Sequence, residues 1–172
     1  MEIVYKLTDS KMRTRPGQYN ETLWGENVTH EAPGTKEMCG PGWIHAYTDP
    51  NLASLLNITH ADFDQKTMIL WECEAEVGIR RPDKIGCTRL TTLRQIPIPV
   101  FTTTQHQAFA ILVAKQVYKD ADFQKWSDNW LNGTDRSIPA AYAAYAAAYA
   151  TNAAAYAANL DLVTIAKEAL KY

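Results

Sequence analysis

A chain of 172 residues, 47% hydrophobic and 21% charged, is long enough to bury a sizeable core and is expected to fold as one domain. Its formal net charge of -2 and pI near 6.1 lack the basic surplus by which nucleic-acid binders displace counterions from phosphates, so no nucleic-acid partner is expected. The strongest apolar run, Ala108 to Val113, is interrupted by Lys115 and Gln116 and falls far short of the roughly 20 residues that span a bilayer, so no membrane partner is expected either.

Ile3 to Leu7 is β-branched and aromatic and stops at Thr8-Asp9-Ser10, which reads as a first strand and a turn. Lys11 to Gly42 is polar and rich in Gly and Pro, a loop excursion with short strand pieces; Trp24 within it is expected to fold back onto the body. Trp43 to Tyr47 reads as a strand with Trp43, His45 and Tyr47 on one face. Asp49 is a good N-cap and Pro50 suits the first helical position, so a helix carrying Leu52, Leu55 and Leu56 follows and ends at Asn57.

From Thr67 to Val77 the residues Trp71, Cys73, Ala75 and Val77 alternate with Glu72, Glu74 and Glu76, the pattern of a half-buried strand. Ile85 to Ile96 is another strand, stopped by Pro97 and Pro99, which cannot donate to a ladder. The period then changes. Thr103 or Thr104 is expected to cap a helix with Phe109, Leu112, Val113 and Val117 on one face, and Phe123, Trp126 and Trp130 mark a second helix closed by Gly133.

From Ala140 to Ala158 there is little besides alanine and tyrosine, so a long helix is predicted. Tyr142, Tyr145, Tyr149 and Tyr156 fall on an a/d seam that continues through Val163, Ala166 and Leu170, with Asp161 as the cap of a second helical segment. That seam is an interaction surface, packed on the chain's own body or on a second copy as a homo-oligomer. The expected fold is α+β, a mixed and mainly antiparallel sheet with a loop-rich N-terminal half, followed by C-terminal helices. The expected division is an α+β body over 1–136 and a helical tail over 137–172.

Cys39, Cys73 and Cys87 are odd in number and widely spaced, with no basic-then-apolar leader after Met1; reduced thiols in a cytoplasm are expected, with Cys73 and Cys87 buried. The basic clusters Lys11–Arg13–Arg15 and Arg80–Arg81–Lys84 sit among Gly, Pro and Asp and read as solvated loops, although they leave room for a small anionic ligand. Cys39, His45 and His60 match no standard zinc spacing, so no metal is expected. No nucleophile elbow, phosphate-binding Gly-Lys-Ser/Thr loop or paired-carboxylate motif is present, and no catalytic residue is assigned.

Cys39-Gly40-Pro41-Gly42-Trp43-Ile44-His45-Ala46-Tyr47-Thr48-Asp49-Pro50, with Leu52-Ala53, Leu70-Trp71-Glu72 and Gly86-Cys87-Thr88 further on, resembles a family of phage and prophage proteins. The Tyr5-Lys6 start and the alanine-rich tail extend the resemblance over nearly the whole chain. It implies a viral origin and an accessory role in the host cytoplasm, for example counter-defence, and brings no activity with it. A fainter likeness links Tyr5-Lys6, Gly42 to Tyr47 and the helix from Pro50 to ADP-ribosyltransferase-like folds, which implies an enzyme using NAD, with one of Glu72, Glu74 or Glu76 as the late-strand glutamate. The favoured reading is a binding protein for a host protein or a small nucleotide-like anion. Its site is expected at Lys6, Trp24, Trp43, His45 and Tyr47, with no cofactor.

Overall fold

The computed structural model describes residues 1–35, 37–137 and 160–172; Tyr142, Tyr145, Tyr149 and Tyr156 lie outside them, and with them the seam as an interface. The chain forms two compact units, Met1–Val100 and Phe101–Tyr172, so the boundary expected after residue 136 falls inside the second.

The first unit carries strands β1 (Glu2–Thr8), β2 (Arg13–Thr14), β3 (Thr22–Leu23), β4 (Thr29–Glu31) and β5 (Ile44–Ala46), helix α1 (Pro50–His60), and the long strands β6 (Ile69–Arg80) and β7 (Ile85–Ile96). Every pairing among the described residues is antiparallel, in the order β1-β6-β7-β4, while β5 takes the stretch of the β7 edge next to β4. The strand expected over Trp43–Tyr47 is thus shorter, and its end does something the sequence does not announce. Tyr47 forms a two-way bridge with Tyr5, each N–H donating to the other's carbonyl at 2.8 Å. Since β1 pairs β6, β6 pairs β7 and β7 pairs β5, that bridge closes the four strands into a ring.

Curvature for this closure comes from β6, whose register against β7 slips between Glu76 and Val77 and again between Val77 and Ile79, around Gly78. The alternation read from β6 holds: Trp71, Cys73 and Ala75 are buried and join Val4, Trp24, Ala46, Ile85, Cys87 and Leu90 in one core cluster. The indole N–H of buried Trp71 donates to Thr8 Oγ1 at 3.1 Å, as a buried polar group requires. On β1, Lys6 is two residues from core-facing Val4 and so takes a position the pleat reserves for an apolar side chain.

Helix α1 starts as its sequence demands, with Asp49 accepting from the N–H groups of Asn51 (2.8 Å) and Leu52 (3.3 Å) and proline in the first turn. It does not stop at Asn57. That side chain is buried and bonds to Phe63 twice, its Nδ2 donating to the Phe63 carbonyl at 2.8 Å and its Oδ1 accepting from the Phe63 N–H at 3.2 Å, and the helix runs on to His60. The polar group that marked a helix end in the sequence is spent on holding the following loop.

The second unit holds α2 (Thr103–Val117), α3 (Ala121–Leu131) and α4 (Leu162–Ala169). The cap of α2 is Thr102, one residue before the expected pair, because Gln105 completes a reciprocal capping box with it at 3.1 and 2.9 Å. Asp120 and Asp161 cap α3 and α4. Of the three aromatic side chains on α3, Trp130 alone is buried, beside Ser127 and Leu131, while Phe123 and Trp126 are half-buried. The buried stripe of α4 is Leu162, Ile165, Ala166 and Ala169, so of the seam positions expected here only Ala166 is buried, while Val163 is half-buried and Leu170 exposed. Among the described residues, no helix is long and apolar enough to cross a membrane.

Candidate functional site

A cavity of ≈ 380 Å³ opens in the first unit, within the size range in which proteins hold small molecules. Lys6, Trp24, Trp43, His45 and Tyr47, scattered over the first 47 residues, all line it. Three features of the chain bring them together. β1 delivers Lys6; the excursion after β3 folds Trp24 inward, where its indole donates to Thr14 Oγ1 at 3.1 Å; and β5 with the residue on either side of it presents Trp43, His45 and Tyr47 at alternate positions.

Trp43 is seated by glycines. A Cβ on Gly78 would stand 2.4 Å from its Cζ3, one on Gly86 3.0 Å from its Cγ, and one on Gly34 3.5 Å from its Cζ3. The indole therefore rests against backbone that has no side chains of its own. Gly42, just before it, lies where a Cβ would be 1.8 Å from the Thr35 carbonyl oxygen, and its own carbonyl accepts from Gly34 N–H at 2.9 Å. The Gly-Pro-Gly-Trp portion of the motif is thus a tight loop closure that places one aromatic ring.

Lys6 is 6% exposed, its Nζ donating to the His45 carbonyl at 2.9 Å and lying 4.7 Å from the centre of the Trp24 ring. Burial brings its ammonium down to about 8, against the pull of the Cys73 and Cys87 sulfurs and with a further push from Arg15. The imidazole of His45, which donates through Nε2 to the Met38 carbonyl, is pushed down to about 4 by burial first, and Lys84, Lys6 and Arg15 act in the same direction. Three cations from separate segments therefore act on one cavity-lining side chain.

Arg15 and Lys84, read from sequence as members of solvated clusters, both line the cavity. Their cluster neighbours Arg13 and Arg80 lie in β2 and β6 rather than in solvated loops and are ion-paired, Arg13 with Asp9 and Glu21 and Arg80 with Glu2. Among the described residues no ion pair engages Lys6, Arg15 or Lys84, and the one carboxylate on the cavity wall, Glu31, lies 3.9 Å from Arg89. Arg15 is also held at φ 55, in the left-handed region that side chains with a Cβ avoid, a strain often stored at functional positions.

One constellation escaped the sequence reading. The Tyr47 hydroxyl meets His60 Nδ1 at 3.1 Å, and His60 Nε2 lies 3.0 Å from Oδ2 of buried Asp83. In the tautomer with Nε2–H donating to the carboxylate, Nδ1 accepts from the Tyr47 hydroxyl, which makes a carboxylate–imidazole–phenol chain ending in the cavity wall. Its members come from the residue just after β5, the last turn of α1 and the β6–β7 hairpin, so only the ring topology unites them. Glu72, Glu74 and Glu76 are absent from the cavity wall; Glu72 instead accepts from Arg94 at 2.9 and 3.1 Å.

The thiols separate by environment. Cys39 is exposed, whereas burial raises Cys73 to about 12 and Cys87 to about 11. Comparison with family models, with curated proteins and with solved structures finds no match to this chain.

Proposed function

We propose that the first unit binds a small, anionic, nucleotide-like ligand, an aromatic ring lying against Trp24 or Trp43 and an acidic group meeting Arg15 and Lys84. The observation that carries this is the cationic cavity wall: Lys6, Arg15 and Lys84 with no ion-pair partner among the described residues, beside two indoles. Burying like charges together is unfavourable unless a counter-charge arrives, and an anion supplies it. In a protein resembling those of phages, this reads as an accessory factor that captures such a ligand in the host cytoplasm, with counter-defence as its use.

Because Trp24 and Trp43 line the cavity, intrinsic fluorescence reports occupancy directly. Titration with ADP is expected to quench it saturably. Adenosine, lacking the phosphates, should bind at least about tenfold more weakly, the loss of one or two charge-assisted hydrogen bonds. The Arg15→Ala/Lys84→Ala variant should lose the difference between the two. An unquenched signal with ADP, or equal binding of ADP and adenosine, contradicts the reading. Release of nicotinamide from NAD by the protein would favour the transferase reading instead.

A further inference from the structure

A lysine at a core-facing position of a β-strand is rare, because desolvating an ammonium without a carboxylate partner is expensive. Lys6 occupies such a position next to Val4, holds no ion pair among the described residues, and has its Nζ between the His45 carbonyl and the face of Trp24, both on the cavity wall. A lysine retained only to tie down one carbonyl would be an uneconomical choice when a neutral donor would serve. What a desolvated amine offers in addition is a lone pair available near neutral pH.

We infer that Lys6 is a carbonyl-capturing amine: the cavity takes an anionic aldehyde or ketone, its acid group on Arg15 and Lys84 and its carbonyl carbon at Lys6 Nζ, and forms a reversible imine. This rests on the anion-binding reading above and adds a substrate class to it. Neutral Nζ attacks the carbonyl carbon, a C–N bond forms, and the C=O π pair moves to oxygen, which collects the proton shed by nitrogen. The carbinolamine then loses hydroxide with a proton as one water, leaving C=N. Amine plus carbonyl gives imine plus water, with no change of oxidation state. The Tyr47–His60–Asp83 chain on the same wall can give and retake the proton that departs with the hydroxyl group. Reversal by water frees the ligand, so the site stores rather than destroys it.

The test uses glycolaldehyde phosphate as probe, with sodium borohydride to fix any imine as a secondary amine and peptide mass mapping to locate it. The full chain is expected to carry the adduct first at Lys6, ahead of exposed Lys66 and Lys125. Uncharged glycolaldehyde should label Lys6 at least about tenfold less, since it lacks the group that Arg15 and Lys84 would hold. Labelling should increase as pH is raised through about 8, as burial of Lys6 dictates, and excess inorganic phosphate should suppress it. An adduct on surface lysines with Lys6 unmodified overturns the inference, as does equal labelling of Lys6 by both aldehydes. ADP quenching measured on the same preparation separates the two ideas: intact quenching with unmodified Lys6 removes the amine chemistry and leaves the binding reading standing.

Discussion

Replacing Gly78 by alanine probes the seat of Trp43 most cleanly. The new Cβ would lie 2.4 Å from Cζ3 and 2.8 Å from Cη2 of the indole, both well inside ordinary contact, so the ring must move. Gly86 and Gly34 hold the ring at 3.0 and 3.5 Å on neighbouring sides, which leaves the cavity as the open direction. Overpacking of this kind costs about 1–3 kcal/mol, offset by about 0.5–1 kcal/mol because alanine suits a strand better than glycine. A net loss of up to about 2.5 kcal/mol in urea denaturation is therefore expected, together with weaker ADP quenching. The decisive control is the same change in a Trp43→Ala background, where nothing remains to clash with and Gly78→Ala should be neutral or slightly stabilising. If the substitution destabilises equally with and without Trp43, the glycine seat plays no part in positioning the ring and the reasoning fails.

The depressed Lys6 fixes a pH dependence of opposite sign for stability and for binding. Between about 8 and the ordinary lysine value of 10.5 the unfolded chain holds more protons than the folded one, so stability should rise across that window by up to about 3 kcal/mol; Lys6→Met should flatten the rise, and an unchanged slope in denaturant titrations at pH 7.5 and 10 would refute the assignment. Over the same range ADP binding should weaken as Lys6 loses its charge. His45 works at the acid end: its imidazole sits near 4 when folded against an ordinary 6.5, so the protein should lose stability as pH falls from 6.5 towards 4, and less so as His45→Gln. Iodoacetamide on the native protein should modify Cys39 before Cys73 or Cys87, which peptide mapping reads; early modification of either buried thiol would contradict their burial. Arg15→Gly should relieve the left-handed backbone, leaving stability unchanged or up to about 1 kcal/mol higher by thermal melt, while ADP affinity falls.

Local chemistry wrote much of this fold into the sequence. The alternation of Trp71, Cys73 and Ala75 with glutamates, the Asp49-Pro50 helix start and the prolines after Ile96 each act within a few residues, and each element formed where those signals lie. Asn57 misled because its side-chain bonds run on to Phe63, a choice that propensity does not encode, whereas the Thr102–Gln105 capping box was written in the sequence one residue ahead of the threonines read as caps. The cavity was legible only in part. Trp43, His45 and Tyr47 share a strand face by simple period, but their meeting with Arg15, Lys84 and His60 follows from the Tyr5–Tyr47 bridge that closes the ring. Solvated-looking charges became cavity charges through that closure. Gly34, Gly78 and Gly86 were visible as glycines, yet their purpose appears only once Trp43 lies across them.

The central claim is that an anion with an aromatic group enters the ring's cavity, and an ¹H–¹⁵N correlation spectrum recorded during ADP titration tests it residue by residue. The account predicts saturable shifts of the Trp24 and Trp43 indole N–H signals and of the Arg15 side-chain Nε–H, with half-buried Trp126 of the second unit unmoved. Shifts confined to other surfaces, or a spectrum unchanged at millimolar ADP, would contradict it.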